Sequence, residues 1–151
     1  MSTIFTKIIN REIPSYIIDE DDEYIAFLDV FPLAEGHTLV VPKKEVDYIF
    51  DLDDETYIGL HKFSKRVAEK LNKSIKCERI GVAVIGLEVP HVHIHLVPIN
   101  SVSDIDFSRP KLNFSDEEVA LSFPAFTRDT RKEILFLTDM IIVQFVDGQS
   151  A

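Results

Sequence analysis

The chain has 151 residues, of which 46% are hydrophobic and 28% charged, and its formal net charge is −10. That length and balance suit one domain with a real hydrophobic core. The acidic charge argues against general binding of nucleic acid or an anionic membrane, since both attract basic surfaces, but it leaves room for a small anion in a locally favourable pocket. No run of 18 apolar residues occurs, and the opening "MSTIFTKIINREIP" has no apolar stretch of signal-peptide length. Cys77 is the single cysteine, so no internal disulfide can form. A soluble cytoplasmic protein is the expectation.

In chain order, residues 3–9 ("TIFTKII") read as a short helix or an incoming strand. Ile17 and Ile18 precede an acidic turn from Asp19 to Glu23, which reads as a solvated turn rather than a metal site. Tyr24 to Val30 reads as a strand, and Thr38 to Val41 as another ended by Pro42. The link "FPLAEG" makes this an antiparallel meander. From 51 to 73 the period changes. Tyr57, Leu60, Phe63, Ser64, Val67, Ala68 and Leu71 recur at the spacing of an amphipathic helix. Acidic residues crowd its start and basic residues its end, which complements the helix dipole.

"RIGVAVIG" and "VPHVHIHLVPI" read as two further strands. The order predicts an α+β domain over residues 1–120: an antiparallel sheet meander with one main helix and a short N-terminal helix. Residues 121–151 are expected to form a C-terminal extension, packed on the same domain or at a dimer interface. Ser115 with Glu118 can form a capping box near its start, and Pro124 would stop that helix early. The apolar run Met140–Val146 reads equally as a strand or as helix.

The chemistry concentrates in "VPHVHIHLVP". In a strand, residues two apart share a face, so His91, His93 and His95 point one way while Val92, Ile94 and Leu96 point into the core. Three readings compete. A metal could join neighbouring histidines, but the outer pair would lie roughly 13 Å apart, so a further ligand such as His37 would be needed. The histidines could simply be solvated or hydrogen-bonded. Or a neutral imidazole could attack phosphorus, with neighbouring imidazoles binding the phosphate or moving protons and no metal required.

"HVHIHLVP" resembles the H-x-H-x-H-x-x signature, with x apolar, of the histidine triad family. "IFTKIINREIPSYIIDEDDEYIAFLDVFPLAEGHTLVVPKKEV" is similar to the N-terminal half of that family, and the resemblance covers about residues 3–98. It points toward the Hint-type nucleoside phosphoramidases. It implies a homodimer whose sheets join, a purine nucleotide pocket, no cofactor or catalytic metal, and hydrolysis at the α-phosphorus of a nucleoside 5′-monophosphate conjugate. His93 would be the nucleophile that forms a nucleotidyl-histidine, His95 would contact the phosphate, and His91 would help position the nucleophile. His37 matches a fourth histidine beside the triad. Asp29 matches the carboxylate that binds the ribose hydroxyls, with a turn-capping aspartate as the alternative. Ile4, Phe5, Phe27, Val30 and Leu39 match the base-pocket wall, with plain core packing as the alternative. Two other functions stay open: a dinucleoside polyphosphate hydrolase of the same family, and a nucleotide-binding or interaction module with weak or no turnover.

Three departures from the family pattern stand out. Many relatives carry C-x-x-C near the N-terminus and a histidine in "PKKH" as structural zinc ligands; here Thr3, Thr6 and Glu45 stand there, so no structural zinc is expected. In "VAVIGLEVPHVHIH", Ile85 stands where Asn is usual, and Leu87 and Glu88 replace Gln and its neighbour. Glu88 is expected near the phosphate, with a solvent-facing residue as the alternative. Residues from about 121 onward match nothing in the family pattern. His61 reads as a helix boundary residue, and Lys43 and Lys44 could add positive charge at the pocket mouth or lie on an exposed loop.

Overall fold

The computed structural model describes residues 2–123; the run Met140–Val146 and the rest of the extension past Phe123 lie outside the described residues. Residues 3–9 resolve as helix α1 (Ile4–Ile9). The Thr3 hydroxyl caps it by accepting the Thr6 N–H at 3.1 Å. Strands β1 (Ile17–Glu20), β2 (Tyr24–Leu28) and β3 (Thr38–Pro42) form an antiparallel meander. β2 stops at Leu28, two residues before the expected Val30. There Asp29 turns the chain, its Oδ1 accepting the Phe31 N–H at 2.9 Å.

Helix α2 (Asp54–Ser74) follows, then β4 (Arg79–Ala83), β5 (Ile94–Ile99) and α3 (Asp116–Ser122). The sheet order is β1-β2-β3-β5-β4, antiparallel throughout. The α2 crossover sends β4 to the edge, and β5 returns to lie beside β3.

Period-two alternation sorts the central strands between two cores. Tyr24, Ala26, Leu28, Val40, Ile94 and Leu96 face the α2 side, where they meet Leu60, Phe63, Val67 and Leu71. Ile25, Phe27, Leu39 and Val41 face the other side, where they meet Phe5 and Ile8 of α1. Each fully buried side chain of this size contributes about 1.5–3 kcal/mol. The α2 contact is close enough to need a glycine: a Cβ on Gly59 would lie 2.1 Å from the Tyr24 hydroxyl. Asp53 caps α2 by accepting the Thr56 N–H, and the acidic turn is pinned to the helix through Asp19, which pairs with Arg66 and Lys70. Among the described residues no helix is long and apolar enough to cross a membrane.

The strand expected across the triad is shorter than its apolar pattern. β5 begins only at Ile94, because Pro90 lacks an N–H and His91 N–H folds back onto the Val89 carbonyl at 2.8 Å. His91 to His93 form a lead-in, tied by Val92 N–H to the Val46 carbonyl at 2.7 Å. Val92, Ile94 and Leu96 still enter the α2-side core. β4 likewise ends at Ala83, and Gly86 turns the following loop at φ 73°. At the other end of the fold, Ser115 and Glu118 form the expected capping box of α3. That helix runs past residue 120 to Ser122, and Phe123 is buried in the α2-side core.

Candidate active site

The α1 side of the sheet carries the site. α1 supplies Ile4 and Phe5, β2 supplies Phe27, the turn after it supplies Asp29 and Val30, and β3 supplies Leu39. Together with His37, His93, His95 and Glu88 they line one narrow cavity. His91 alone of the expected site residues does not line it. It sits behind the wall, its ring 5.9 Å from that of Phe5, which is also 5.1 Å from His93 and 5.6 Å from Phe27. The pocket and core-packing readings of Phe5, Phe27 and Leu39 are both satisfied, since all three are buried in the α1-side core and line the cavity. Val30 is half exposed and Glu88 exposed. A larger cleft of about 620 Å³ adjoins across Asp29–Phe31 and is walled by α3, but it lacks His93 and His95.

The four histidines are buried, at 0% to 8% exposure, and their partners dictate their tautomers. A carbonyl only accepts, so His93 Nδ1–H donates to the His91 carbonyl at 2.7 Å and His93 Nε2 keeps its lone pair. His91 Nε2–H donates to the Pro42 carbonyl at 2.7 Å, leaving Nδ1 to accept from the Thr3 hydroxyl at 2.9 Å. The Leu33 N–H donates to His37 Nδ1 at 3.0 Å, which places the proton of neutral His37 on Nε2. That Nε2–H donates to His95 Nδ1 at 3.0 Å, so His95 carries its own proton on Nε2. The cavity therefore holds one imidazole with a free lone pair and, 4.8 Å from it ring to ring, one with a free N–H.

Burial favours the uncharged form of three of these rings. It is the largest cause pulling His37, His91 and His95 below the ordinary imidazole value, and for His95 the fall is to about 3, with His93, His37 and Lys111 adding to it. Asp29 opposes the effect at His37: its Oδ2 lies 3.6 Å from His37 Nε2. Asp29 thus caps the turn with one oxygen and faces the site with the other. Asp29, His37 and His95 also have donor atoms within 4.8 Å of one another, as close as ligands of one ion. The two imidazole nitrogens among them are already paired with each other.

A family model described as "HIT domain" matches residues 10–102. The chain belongs to the HIT family. An uncharacterized HIT-like protein of Borreliella burgdorferi is 37% identical over 123 residues, covering 76% of this chain and 88% of its own. The adenosine 5′-monophosphoramidase HNT1 of Saccharomyces cerevisiae is 39% identical over 100 residues, covering 63% of this chain and 61% of its own. Among solved structures, a Hit-like protein involved in cell-cycle regulation from Bartonella henselae superposes with a TM-score of 0.63 at 37% identity, covering 67% of this chain and 82% of that one.

Against the HIT pattern, Thr3, Thr6 and Glu45 come together, but as a hydrogen-bonded cluster. Glu45 Oε2 accepts the Thr6 hydroxyl and the Thr3 N–H. Two neutral hydroxyls and one carboxylate do not fit the thiolate and imidazole set that a structural zinc takes.

Two residues at the site were missed in the sequence. Phe107 packs edge-on against His95, with ring centroids 4.8 Å apart, and Lys111 Nζ lies 5.3 Å from the Phe107 ring centroid. Lys111 is the one Lys or Arg lining the cavity among the described residues. Lys43 and Lys44 do not line it; they pair with Glu20 and Asp53. His61 lies exposed on α2, bonded to the Tyr57 carbonyl.

Proposed function

We propose that this HIT protein is a metal-independent nucleotide hydrolase or transferase acting at the α-phosphorus of purine nucleoside 5′-phosphoramidates. The carrying observation is the free lone pair on His93 Nε2, with Nδ1–H fixed on the His91 carbonyl. In this reading Nε2 attacks phosphorus, the bond to the leaving amine breaks, and the amine leaves with a proton from solvent. The nucleotidyl-imidazolium carries a positive charge, which the His91 carbonyl stabilises through Nδ1–H. His95 Nε2–H donates to a phosphate oxygen, and Lys111 adds positive charge at that end. Water then attacks phosphorus, the P–N bond to His93 breaks, and the nucleoside monophosphate leaves. The slot formed by Ile4, Phe5, Phe27, Val30 and Leu39 takes the purine, and the site-facing oxygen of Asp29 takes the ribose hydroxyls. The yeast phosphoramidase relative supports this substrate class.

A homodimer belongs to the same reading. β4 is an edge strand whose outer side has no partner strand among the described residues, and Val82 and Val84 on and beside it are exposed. One observation favours a second reading, nucleotide binding with slow turnover. The loop at 85–88 offers the cavity only Glu88, while Ile85 and Leu87 are exposed. Incubation with adenosine 5′-phosphoramidate tests the proposal: the wild type is expected to release AMP and His93→Ala is not. Equal release by both, or nucleotide binding with no release by either, would contradict it.

A further inference from the structure

The Thr3–Thr6–Glu45 cluster ends on a triad histidine. Thr3 is buried, at 8% exposure, and its hydroxyl lies between the N-terminus of α1 and His91. The Thr3 oxygen accepts the Thr6 N–H at 3.1 Å and lies 3.1 Å from the Thr6 hydroxyl oxygen; its own hydrogen goes to the shorter contact, His91 Nδ1 at 2.9 Å. His91 Nε2–H reaches the Pro42 carbonyl, and the His91 carbonyl receives Nδ1–H of His93. On the outer side, exposed Glu45 holds both threonines. Its carboxyl sits below the usual carboxylate range, chiefly because the Thr6 hydroxyl and then the Thr3 amide donate to it.

We infer that Thr3 is a positioning residue for the nucleophile: its hydroxyl, opposite the Pro42 carbonyl, holds the His91 ring in one tautomer and place, and the fixed His91 backbone aims His93. The inference rests on attack by His93 in the proposed function. From Glu45 to His93 the donors and acceptors form one consistent set. Glu45 accepts from both threonines, Thr3 donates to His91, and His91 carries its proton on the nitrogen facing Pro42. With the opposite tautomer, an Nδ1–H would face a threonine oxygen that already accepts the Thr6 amide, and a bare Nε2 would face the Pro42 carbonyl. Because Thr3 also starts the helix bearing Ile4 and Phe5, one residue links the base slot to the nucleophile.

Three variants separate donation from capping. Thr3→Ser keeps the hydroxyl. Thr3→Val keeps the shape without it. Thr3→Asp still accepts the Thr6 N–H but at neutral pH has no proton for His91. With adenosine 5′-phosphoramidate, Thr3→Val and Thr3→Asp are expected to lower kcat about 10-fold with little change in KM, while Thr3→Ser stays near wild type. Nitrogen-15 NMR is expected to show His91 protonated on Nε2 in the wild type and Thr3→Ser, an Nδ1 signal shifted by the lost hydrogen bond in Thr3→Val, and loss of the single tautomer in Thr3→Asp, where a carboxylate faces Nδ1. Wild-type turnover or an unchanged His91 Nδ1 signal in both Thr3→Val and Thr3→Asp would overturn the inference. If Thr3→Val loses its helix start and unfolds, Thr3→Asp carries the comparison. Absence of turnover in the wild type would count against the His93 reaction, and the NMR comparison would still decide the role of Thr3.

Discussion

His37 Nε2 lies 3.0 Å from His95 Nδ1, and the Leu33 amide on the far side of His37 sets the direction of that hydrogen bond. A backbone N–H thereby decides, two imidazoles away, which nitrogen of His95 presents a proton to the cavity. Removing the intermediate ring should cost turnover more than binding. His37→Ala is expected to lower kcat by at least about 10-fold while the base slot still binds AMP. Single-turnover kinetics with equilibrium AMP binding checks this, and an unchanged kcat would mean that His95 needs no orientation from His37.

The lowered pKa of buried His37, His91 and His95 makes stability depend on pH. An unfolded histidine titrates near 6.5, whereas folded His95 titrates near 3 and folded His37 and His91 are also lowered. Between the folded and unfolded values the unfolded chain binds more protons, so stability is full above about pH 6.5 and falls as pH drops toward 3. Each such imidazole adds a slope approaching about 1.4 kcal/mol per pH unit within its window. Chemical denaturation from pH 8 to pH 4 should show a plateau and then a decline. His95→Asn is expected to flatten that decline, and an equally steep decline in the variant would contradict the assignment.

Lys111 is the cation at the cavity of a chain with net charge −10, and Glu88 lines the same cavity. Lys111→Gln is expected to raise KM for a nucleotide substrate several-fold, roughly 3- to 10-fold at low salt, with the gap closing as salt screens the exposed charge. Initial rates at two ionic strengths measure it. A salt-independent change would indicate that the side chain acts by shape rather than by charge.

The edge strand offers a test of assembly. Val82 is 62% exposed on β4, and its Cα partner on the inner side is Leu96. Val82→Asp should leave the monomer fold intact, because a charge at an exposed edge position costs little, while opposing sheet-to-sheet association. Sedimentation velocity is expected to show a wild-type dimer and a dissociated variant. A monomeric wild type would contradict the homodimer.

Much of this molecule is legible in its sequence because its elements obey local rules. Helix α2 follows from 3–4 spacing and its acidic start, and the α3 cap from Ser115 and Glu118. The face of the triad follows from Val92, Ile94 and Leu96, which enter the core even though the strand begins only at Ile94. The ladder could not be read so closely, because Pro90 and the turn at Val89–His91 break it where hydrophobic alternation continues. Phe107 and Lys111 reach the site from a loop past β5 and carry no periodic signal. Tertiary folding alone brings them to His95. In the same way Thr3 and Glu45 gain a connection to His91 only through contacts 88 and 42 residues apart in the chain.

The central claim is that His93 forms a covalent bond to the nucleotide, and rapid quenching of the protein with adenosine 5′-phosphoramidate followed by peptide mass spectrometry tests it most directly. An adenylyl group is expected on the peptide containing His93, formed within one turnover and absent from His93→Ala. Turnover at full rate with no modified peptide, or an adduct on His91 or His95 instead, would contradict it.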